Sequence, residues 1–402
     1  MSLMDRLLTT SFRANSRRLT KFKAPLPSHQ LPEPDTDRTY MLYLHVPFCE
    51  VLCPFCSFHR VCFREDKATR YFNSLRTEIR MAHDLGYRFS DIYVGGGTPT
   101  VMPDQLAETL ALVRSLSPID SISVETNPDH LTPEIMRVIR DAHVTRLSVG
   151  IQSLDNKLLK QMDRYEKYGT AEEVMERLAG AEGYFDTLNA DMIFNLPEQD
   201  EDSLRRDVEM ITSLPAVNQV TFYPLMSAES TMRKMLSTMG AVNFDREARM
   251  YRLILDTIPE GFNPASAWCF SRDTGTVDEY VIENEEYLGL GSGSLSYIDG
   301  VLYSTTFSLN NYNKRIAAGQ FGISRKQPLT HRDRLRYFML MNLFGLSLDK
   351  QVARNRYPGF FRTLAPEILG LKLIGAVRDD GEQLVLTEYG MRIWIMIMRE
   401  FF

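Results

Sequence analysis

Three closely spaced cysteines are the feature of this chain with the clearest chemistry. Cys49, Cys53 and Cys56 are separated by four and then three positions, and Cys62 follows them. Thiolates at this spacing can wrap one face of a metal centre, and cysteine sulfur suits iron–sulfur clusters and zinc alike. The cysteines therefore favour either a [4Fe–4S] cluster with one iron open to a small molecule, or a zinc site completed by His59 or Cys62.

Aromatic and glycine residues near these cysteines suit a cofactor site. Phe48, Phe55 and Phe58 flank the cysteines and would shield a cluster and tune its potential. A Gly-Gly-Gly-Thr-Pro run at 95–99 ends the next predicted strand. Glycines there permit positive φ and a close approach of the backbone to a ligand, although ordinary strand-to-helix turns use the same residues.

The elements that must position these residues alternate between strand and helix. The pattern predicts a helix over 66–85 that ends at Gly86, and another that begins with Thr132 and Pro133. Apolar, β-branched runs predict six strands, at 40–46, 91–94, 121–125, 146–149, 188–194 and 218–223. This alternation predicts an α/β fold with a parallel sheet, open or curled into a partial barrel, whose function gathers at the carboxyl ends of the strands.

Four segments are expected along the chain. They are a basic, proline-rich arm at 1–38, the alternating core at 39–235, a barrel-completing or substrate segment at 236–325, and a small C-terminal domain at 326–402. The last of these is predicted as helices with a short β-wing at 376–386 that turns at 379–381.

Composition limits the class of protein. The chain is 44% hydrophobic and 24% charged, with a formal net charge of −6 and a pI of about 5.8. This balance is typical of a soluble globular protein and argues against non-specific nucleic-acid binding, because phosphate backbones recruit basic proteins. Since no secretory signal or membrane-spanning apolar run is evident, the thiols are expected in a reducing cytoplasm, where clustered cysteines favour metals over disulfides.

The CxxxCxxC spacing after the sequence Tyr-x-His-x-Pro-Phe-Cys resembles the radical S-adenosylmethionine (SAM) superfamily, in the branch of oxygen-independent coproporphyrinogen III oxidase. The resemblance covers about residues 40 to 390. It implies a partial (β/α)6 radical SAM barrel, with residues 39–235 as its core, and a small helical and winged C-terminal domain. It also implies a [4Fe–4S] cluster on Cys49, Cys53 and Cys56, the catalytic centre, whose open iron binds SAM. One electron from a flavodoxin- or ferredoxin-type donor then cleaves SAM to methionine and a 5′-deoxyadenosyl radical.

The resemblance also implies which residues contact the cofactors. The run at 95–99, with Gly96, Gly97 and Thr98, is similar to the element that contacts the SAM methionine amino group. Phe55 lies within the cysteine motif and is expected beside the cofactors. Further residues, most of them at predicted strand ends, are expected to hold the ribose, carboxylate or adenine of SAM: Tyr43, Glu125, Gln152, Arg164 and Asp191.

Departures from the family pattern bear on the substrate. Phe58 stands where the oxidase has a fourth cysteine, and Asn195 stands where the family has glycine before Leu-Pro. The haem chaperones carry HNxxYW before an NEEY segment, and the motif positions here hold Val277, Asp278, Val281 and Ile282. These departures favour a class C radical SAM methyltransferase that binds two SAM molecules.

Such an enzyme would methylate an sp² carbon of a planar small molecule, with a menaquinone-type lipid quinone as first substrate and a tetrapyrrole as second. Trp268 and Tyr223 would stack on the second SAM or the substrate, or else are core aromatics. The alternatives are a coproporphyrinogen III dehydrogenase-like tetrapyrrole enzyme and a haem chaperone.

The apolar last helix, at 391–402, permits two interpretations. It is either buried in the C-terminal domain or, with the basic arm, forms a peripheral contact at the inner membrane face. An enzyme that acts on a membrane quinone would need such a surface, so the second interpretation favours the quinone as substrate.

Overall fold

The computed structural model describes residues 22, 24–26, 28–226, 231–273 and 280–401. Strands within these ranges are, in chain order, β1 (Ala24–Pro25), β2 (Tyr40–Val46), β3 (Phe48–Cys49), β4 (Val61–Cys62), β5 (Phe89–Gly96), β6 (Ser121–Thr126), β7 (Arg146–Gln152), β8 (Thr187–Phe194), β9 (Gln219–Pro224), β10 (Asn263–Pro264), β11 (Cys269–Ser271), β12 (Tyr287–Leu290), β13 (Leu295–Ile298), β14 (Val301–Thr305), β15 (Ile323–Pro328), β16 (Ser347–Asp349), β17 (Val377–Asp379) and β18 (Gln383–Leu386).

Helices connect or cover these strands. They are α1 (Glu65–Leu85), α2 (Pro103–Leu116), α3 (Pro133–Asp141), α4 (Asn156–Gln161), α5 (Tyr165–Tyr168), α6 (Ala171–Ala179), α7 (Glu201–Ser213), α8 (Met232–Thr238), α9 (Glu247–Thr257), α10 (Tyr280–Glu283), α11 (Leu309–Ala317), α12 (His331–Phe344), α13 (Lys350–Arg356), α14 (Phe360–Thr363), α15 (Ala365–Leu373) and α16 (Glu388–Phe401). Two 3₁₀ turns, Pro99–Val101 and Pro128–His130, follow β5 and β6.

The core of the fold is a run of six parallel strands in the order β2-β5-β6-β7-β8-β9. Each predicted strand run falls on one of them. Helices cover the outer face, so β2 and β7 are buried almost throughout, as parallel strands require. The chain therefore has the predicted α/β fold, with a partial barrel.

The same sheet extends beyond the six strands at both edges. At one edge β12 runs parallel to β2, and β13, β14, β15 and β1 follow in antiparallel pairs. At the other edge β11 and β10 are antiparallel to β9 and to each other. The basic residues expected in the N-terminal arm, up to Lys23, lie outside the described residues.

Helix α1 shows how the local sequence produces the covering layer. Its apolar positions, which recur at helical spacing, are buried against the sheet, and Gly86 ends the helix with a φ of 114°. Glu78 on the same buried face accepts hydrogen bonds from the backbone N–H groups of Gly291 and Gly322, at 2.9 and 2.7 Å. This carboxylate therefore joins α1 to the glycine-rich segment that follows β12.

The C-terminal region is a set of helices packed on a small sheet of order β16-β18-β17. The apolar helix α16 is buried: Trp394 is 2% exposed and donates from Nε1 to the Leu340 carbonyl at 2.9 Å. Near its end, Arg399 forms a buried ion pair with Glu247 of α9. Residues 391–400 are therefore buried in the C-terminal domain, and other parts of the protein cover the apolar face of α16. None of the helices in the described ranges has the length and apolarity needed to cross a membrane.

Candidate active site

The loop between β2 and α1 carries the cysteine motif. Cys49 and Cys53 are buried, Cys56 is half-buried and Cys62 is exposed. The short parallel ribbon of β3 and β4 closes the loop and places Cys49 beside Cys62 in register. Burial raises the pKa of the Cys49 thiol and raises that of Cys56 to about 11. Without a metal these two thiols are protonated at neutral pH, and binding a metal would displace the protons.

The spacing of the side chains bears on the choice between zinc and a cluster. In the described part of the chain, no three cysteine or histidine side chains have ligand atoms within 4.8 Å of one another. A structural zinc ion needs four such atoms around one point. His59 instead stacks on His45, with ring centroids 5.8 Å apart, and Cys62 is exposed. This geometry disfavours the zinc alternative.

A continuous chain of polar contacts joins two of the cysteines. Thr98 donates to the Cys49 sulfur at 3.6 Å and accepts from Asn127 Nδ2 at 2.7 Å. Arg164 donates from Nη2 to Asn127 Oδ1 at 3.2 Å and from Nη1 to the Cys53 sulfur at 3.5 Å. The structure thus brings four sequence-predicted residues together through Asn127. Asn127 lies in the Glu-Thr-Asn-Pro run, but sequence analysis assigned it no role.

Two guanidinium groups next to these cysteines carry buried N–H donors without acceptors. Arg164 is 3% exposed and contacts the Gly150 carbonyl and the Tyr168 ring, yet its Nε has no partner among the described residues. Arg60 donates from Nη2 to the Cys53 carbonyl, and its Nε is likewise buried without a partner there. Buried donors without acceptors cost free energy. The cysteine loop and its cationic surroundings therefore fit an anionic group such as a thiolate-bound cluster.

The glycine run after β5 packs directly against the cysteine loop. Gly96 has a φ of 113°, and a Cβ at this position would lie 2.5 Å from the His45 ring. A Cβ at Gly97 would lie 2.6 Å from the Phe48 carbonyl oxygen, in the cysteine loop itself. The glycines are therefore needed for close packing of two loops, in addition to any approach to a ligand.

Two predicted carboxylates face the interior of the barrel. Glu125 accepts from the Gly96 N–H and from the Tyr93 hydroxyl, both at 3.0 Å, and burial raises its pKa. Asp191 accepts from Ser148 and Asn189, both at 2.8 Å, and burial raises its pKa to about 7. Both groups are held in fixed orientations by hydrogen bonds, which suits the recognition of hydroxyl or ammonium groups.

The remaining predicted SAM residues lie at the same end of the barrel. Gln152 ends β7 with a φ of 75°, and its amide nitrogen lies 2.9 Å from the Cβ position of Gly150. Tyr43 contacts His45 Nδ1 at 3.0 Å, while His45 Nε2 lies 2.9 Å from the His59 carbonyl. Since Nε2 must donate to that carbonyl, Nδ1 accepts from the tyrosine hydroxyl.

Phe55 belongs to a second apolar cluster that covers the cysteine loop. It is buried together with Leu158 and Met162 near α4, and with Met235 and Met239 at α8. Methionine side chains adapt to irregular shapes, so this cover can pack against the loop without demanding one fixed geometry.

An ion-pair network that sequence analysis missed ties the cysteine loop to the barrel. Lys167 contacts the Glu50 carboxylate, and its Nζ lies 3.4 Å from Asp129 Oδ2. His130 Nε2 lies 3.9 Å from both carboxylates, and its Nδ1 lies 2.6 Å from the Thr100 hydroxyl. These residues come from four separate segments of the chain, so no local motif signals them. Because Lys167 contacts both carboxylates, the group forms an ion-pair network.

The aromatic pair proposed for stacking is mainly part of the core. Trp268 is 1% exposed and packs against Phe344, with ring centroids 4.6 Å apart. Tyr223, at the end of β9, is half-buried, and its ring centroid lies 4.9 Å from that of Trp268. The core alternative therefore holds for Trp268. Cys269 is also fully buried in β11, as expected of a small apolar residue.

Comparison with known proteins agrees with this architecture. The radical SAM superfamily profile matches residues 43–211. The heme chaperone HemW of Lactococcus lactis is 28% identical over 377 residues, which is 89% of this chain and 96% of that protein. The oxygen-independent coproporphyrinogen III oxidase of Cereibacter sphaeroides is 27% identical over 394 residues, which is 90% of this chain and 86% of that protein.

A solved structure shares the whole fold. The coproporphyrinogen III oxidase HemN of Escherichia coli superposes with a TM-score of 0.74 at 20% identity, covering 97% of this chain and 93% of that one. Members of the radical SAM superfamily use a [4Fe–4S] cluster and SAM. The profile therefore identifies a radical SAM domain at residues 43–211, and the relatives make nearly the whole chain similar to the branch that includes coproporphyrinogen III oxidase and HemW.

Proposed function

We propose that Cys49, Cys53 and Cys56 hold the [4Fe–4S] cluster and that this chain cleaves SAM reductively. The observation that carries the proposal is the convergence of Cys49 and Cys53, through Thr98 and Arg164, on one polar chain beside buried, unpaired guanidinium donors. When bound, the cluster supplies the electron that SAM cleavage needs. The chain's own residues exclude water from the loop and orient the cofactors.

The remaining site residues are proposed as SAM contacts. Gly96, Gly97 and Thr98 would face the methionine end of SAM, beside Phe55. The other proposed contacts are Tyr43, Glu125, Gln152, Arg164 and Asp191. Fixed hydrogen bonds support the two interior carboxylates and Tyr43, the position at the end of β7 supports Gln152, and the contact with the Cys53 sulfur supports Arg164.

A tetrapyrrole is the substrate class that the relatives and the site support best. Two relatives that cover nearly the whole chain are a heme chaperone and a coproporphyrinogen III oxidase, and both names refer to tetrapyrroles. A tetrapyrrole is a large ring with apolar faces, which fits an apolar cover containing Phe55 and the methionines of α8. We therefore propose radical chemistry on a tetrapyrrole-type small molecule, in the cytoplasm, with a flavodoxin- or ferredoxin-type electron donor and no nucleic acid.

Methyl transfer to an sp² carbon, with a second SAM, is the second candidate. The observation that favours it is Phe58, which is 54% exposed at the position where the oxidase has its fourth cysteine. Val281, at one position of the chaperone's haem motif, is buried and cannot ligate a metal. The quinone substrate now lacks its main support, because α16 is covered by protein.

Product mass with methyl-deuterated SAM separates these functions. Anaerobic, reconstituted protein is incubated with a strong reductant and a panel of coproporphyrinogen, haem and naphthoquinones. A tetrapyrrole product formed with 5′-deoxyadenosine supports the first proposal, and a deuterated product formed with S-adenosylhomocysteine supports methyl transfer. Haem that stays bound and unchanged indicates a chaperone. If no SAM is cleaved with any ring while a full cluster is present, the enzymatic proposal fails.

A further inference from the structure

Arg60 links two parts of the cysteine loop through hydrogen bonds to its backbone. It lies between the cysteine motif and β4, and its two terminal nitrogens donate to loop carbonyls: Nη2 to Cys53 and Nη1 to Phe58, the latter at 3.4 Å. The planar guanidinium is therefore held in place by two backbone groups. A flexible lysine could not make both contacts with the same geometry.

No carboxylate among the described residues neutralises the charge of Arg60. Among the described residues no aspartate or glutamate oxygen lies within 4.0 Å of it, whereas nearby Arg64 pairs with Asp66 at 3.1 Å and Lys167 pairs with Glu50. The buried Nε of Arg60 also lacks an acceptor. The loop thus contains a fixed positive charge and one N–H donor that no described residue uses.

We propose that Arg60 is a positioning residue that raises the reduction potential of the cluster held by this loop. The inference rests on the proposed cluster ligation by the three cysteines. The reduced cluster carries one more negative charge than the oxidised one. A fixed cation and an N–H donor within the loop that holds the cluster would therefore stabilise the reduced form more. Arg60 would thereby make electron acceptance easier.

The test is an EPR-monitored redox titration of reconstituted full-length protein. Arg60→Met removes the charge and the donor while keeping much of the apolar stem. We expect the ratio of reduced to oxidised cluster at a given potential to fall about tenfold, which is a midpoint about 59 mV lower for a one-electron couple. Arg60→Lys, which keeps the charge but loses the fork, should give a smaller decrease. The matched control, Arg64→Met, removes an exposed and paired arginine and should leave the midpoint unchanged.

Iron content separates this inference from the function on which it rests. An unchanged midpoint in Arg60→Met with four irons retained would overturn the role of Arg60 and leave the cluster assignment intact. If Arg60→Met does not hold four irons, the test uses Arg60→Lys instead. A midpoint potential below that of the wild type then supports the proposal. An unchanged midpoint potential, or loss of the cluster, overturns it. Wild-type protein that assembles no cluster would instead overturn the proposed function.

Discussion

Arg164 donates from Nη1 to the sulfur of Cys53 at 3.5 Å, although 111 residues separate the two in the chain. The same guanidinium reaches Asn127, which in turn holds the Thr98 hydroxyl that donates to Cys49. Two cysteines of one loop are thus oriented by residues that follow three different strands.

Asn127 is expected to act on Cys49 through Thr98. In Asn127→Asp the group facing Thr98 becomes an acceptor, so the threonine hydroxyl would donate to the aspartate and no longer to the Cys49 sulfur. Losing one hydrogen bond of about 1 kcal/mol should speed iron loss to a chelator about fivefold. Iron release is followed anaerobically by absorbance. Asn355→Asp, on α13 and far from the site in sequence, serves as the control. Equal rates of iron loss in the two variants would show that Asn127 does not act on Cys49 through Thr98.

The cysteines are expected to differ sharply in their effect on iron content. Replacing Cys49, Cys53 or Cys56 with alanine should abolish the cluster, because each is expected to supply one of only three protein thiolates. Cys62→Ala should retain about four irons, since its side chain is exposed. Iron analysis and EPR after anaerobic reconstitution check both expectations. Stoichiometric zinc in anaerobically purified protein, or a cluster lost with Cys62, would contradict the assignment.

The Glu50–Lys167 contact is expected to hold the cysteine loop onto the barrel. Glu50 follows Cys49 directly, and the pair is partly exposed, so its contribution should be modest, about 0.5 to 1 kcal/mol. Glu50→Gln and Lys167→Met should each speed chelator-driven iron loss about two- to fivefold. The double variant should be little worse than either single one. If the effects of the two variants on the rate of iron loss are fully additive, the two residues act separately. Glu166→Gln, which changes an exposed residue, is the control.

Asp207 is expected to make the unliganded protein less stable as pH rises. On α7 it accepts from the Leu154 N–H at 2.7 Å and the Ser153 hydroxyl at 2.8 Å, and burial raises its pKa from 3.8 to about 7. A carboxyl with a raised pKa binds more protons when folded, so its contribution to stability is lost between pH 3.8 and about 7.

Urea unfolding of wild type and Asp207→Asn at pH 5 and 7.5 tests this expectation. The asparagine keeps an acceptor for Leu154 but cannot ionise, so the variant should lose less stability between the two pH values. Asp191, which is also buried, will leave part of the dependence in place. Glu209→Gln, exposed on the same helix, should follow wild type. If Asp207→Asn loses as much unfolding free energy between pH 5 and 7.5 as the wild type does, groups other than Asp207 cause the pH dependence.

Local patterns in the sequence were sufficient to predict the six barrel strands and helix α1. Each of the six barrel strands contains its predicted run, apart from one residue at the start of β9, because buried parallel strands need continuous apolar, β-branched residues. Helix α1 and its stop at Gly86 follow from an apolar face at helical spacing and from glycine's tolerance of positive φ. The cysteine motif was equally visible, since its members lie within a few residues of one another.

Only the tertiary structure decided which distant residues meet and which faces are covered. The apolar stretch of α16 is the same for a buried helix and for a membrane contact, and packing against α9 and α12 decided between them. The contacts of Asn127, Lys167 and Arg164 join segments that follow different strands of the barrel, so no spacing along the chain encodes them. Arg60 lies in the cysteine loop, which the sequence identifies. That its charge has no carboxylate partner among the described residues follows only from the tertiary structure, in which the nearby carboxylates pair with Arg64 and Lys167.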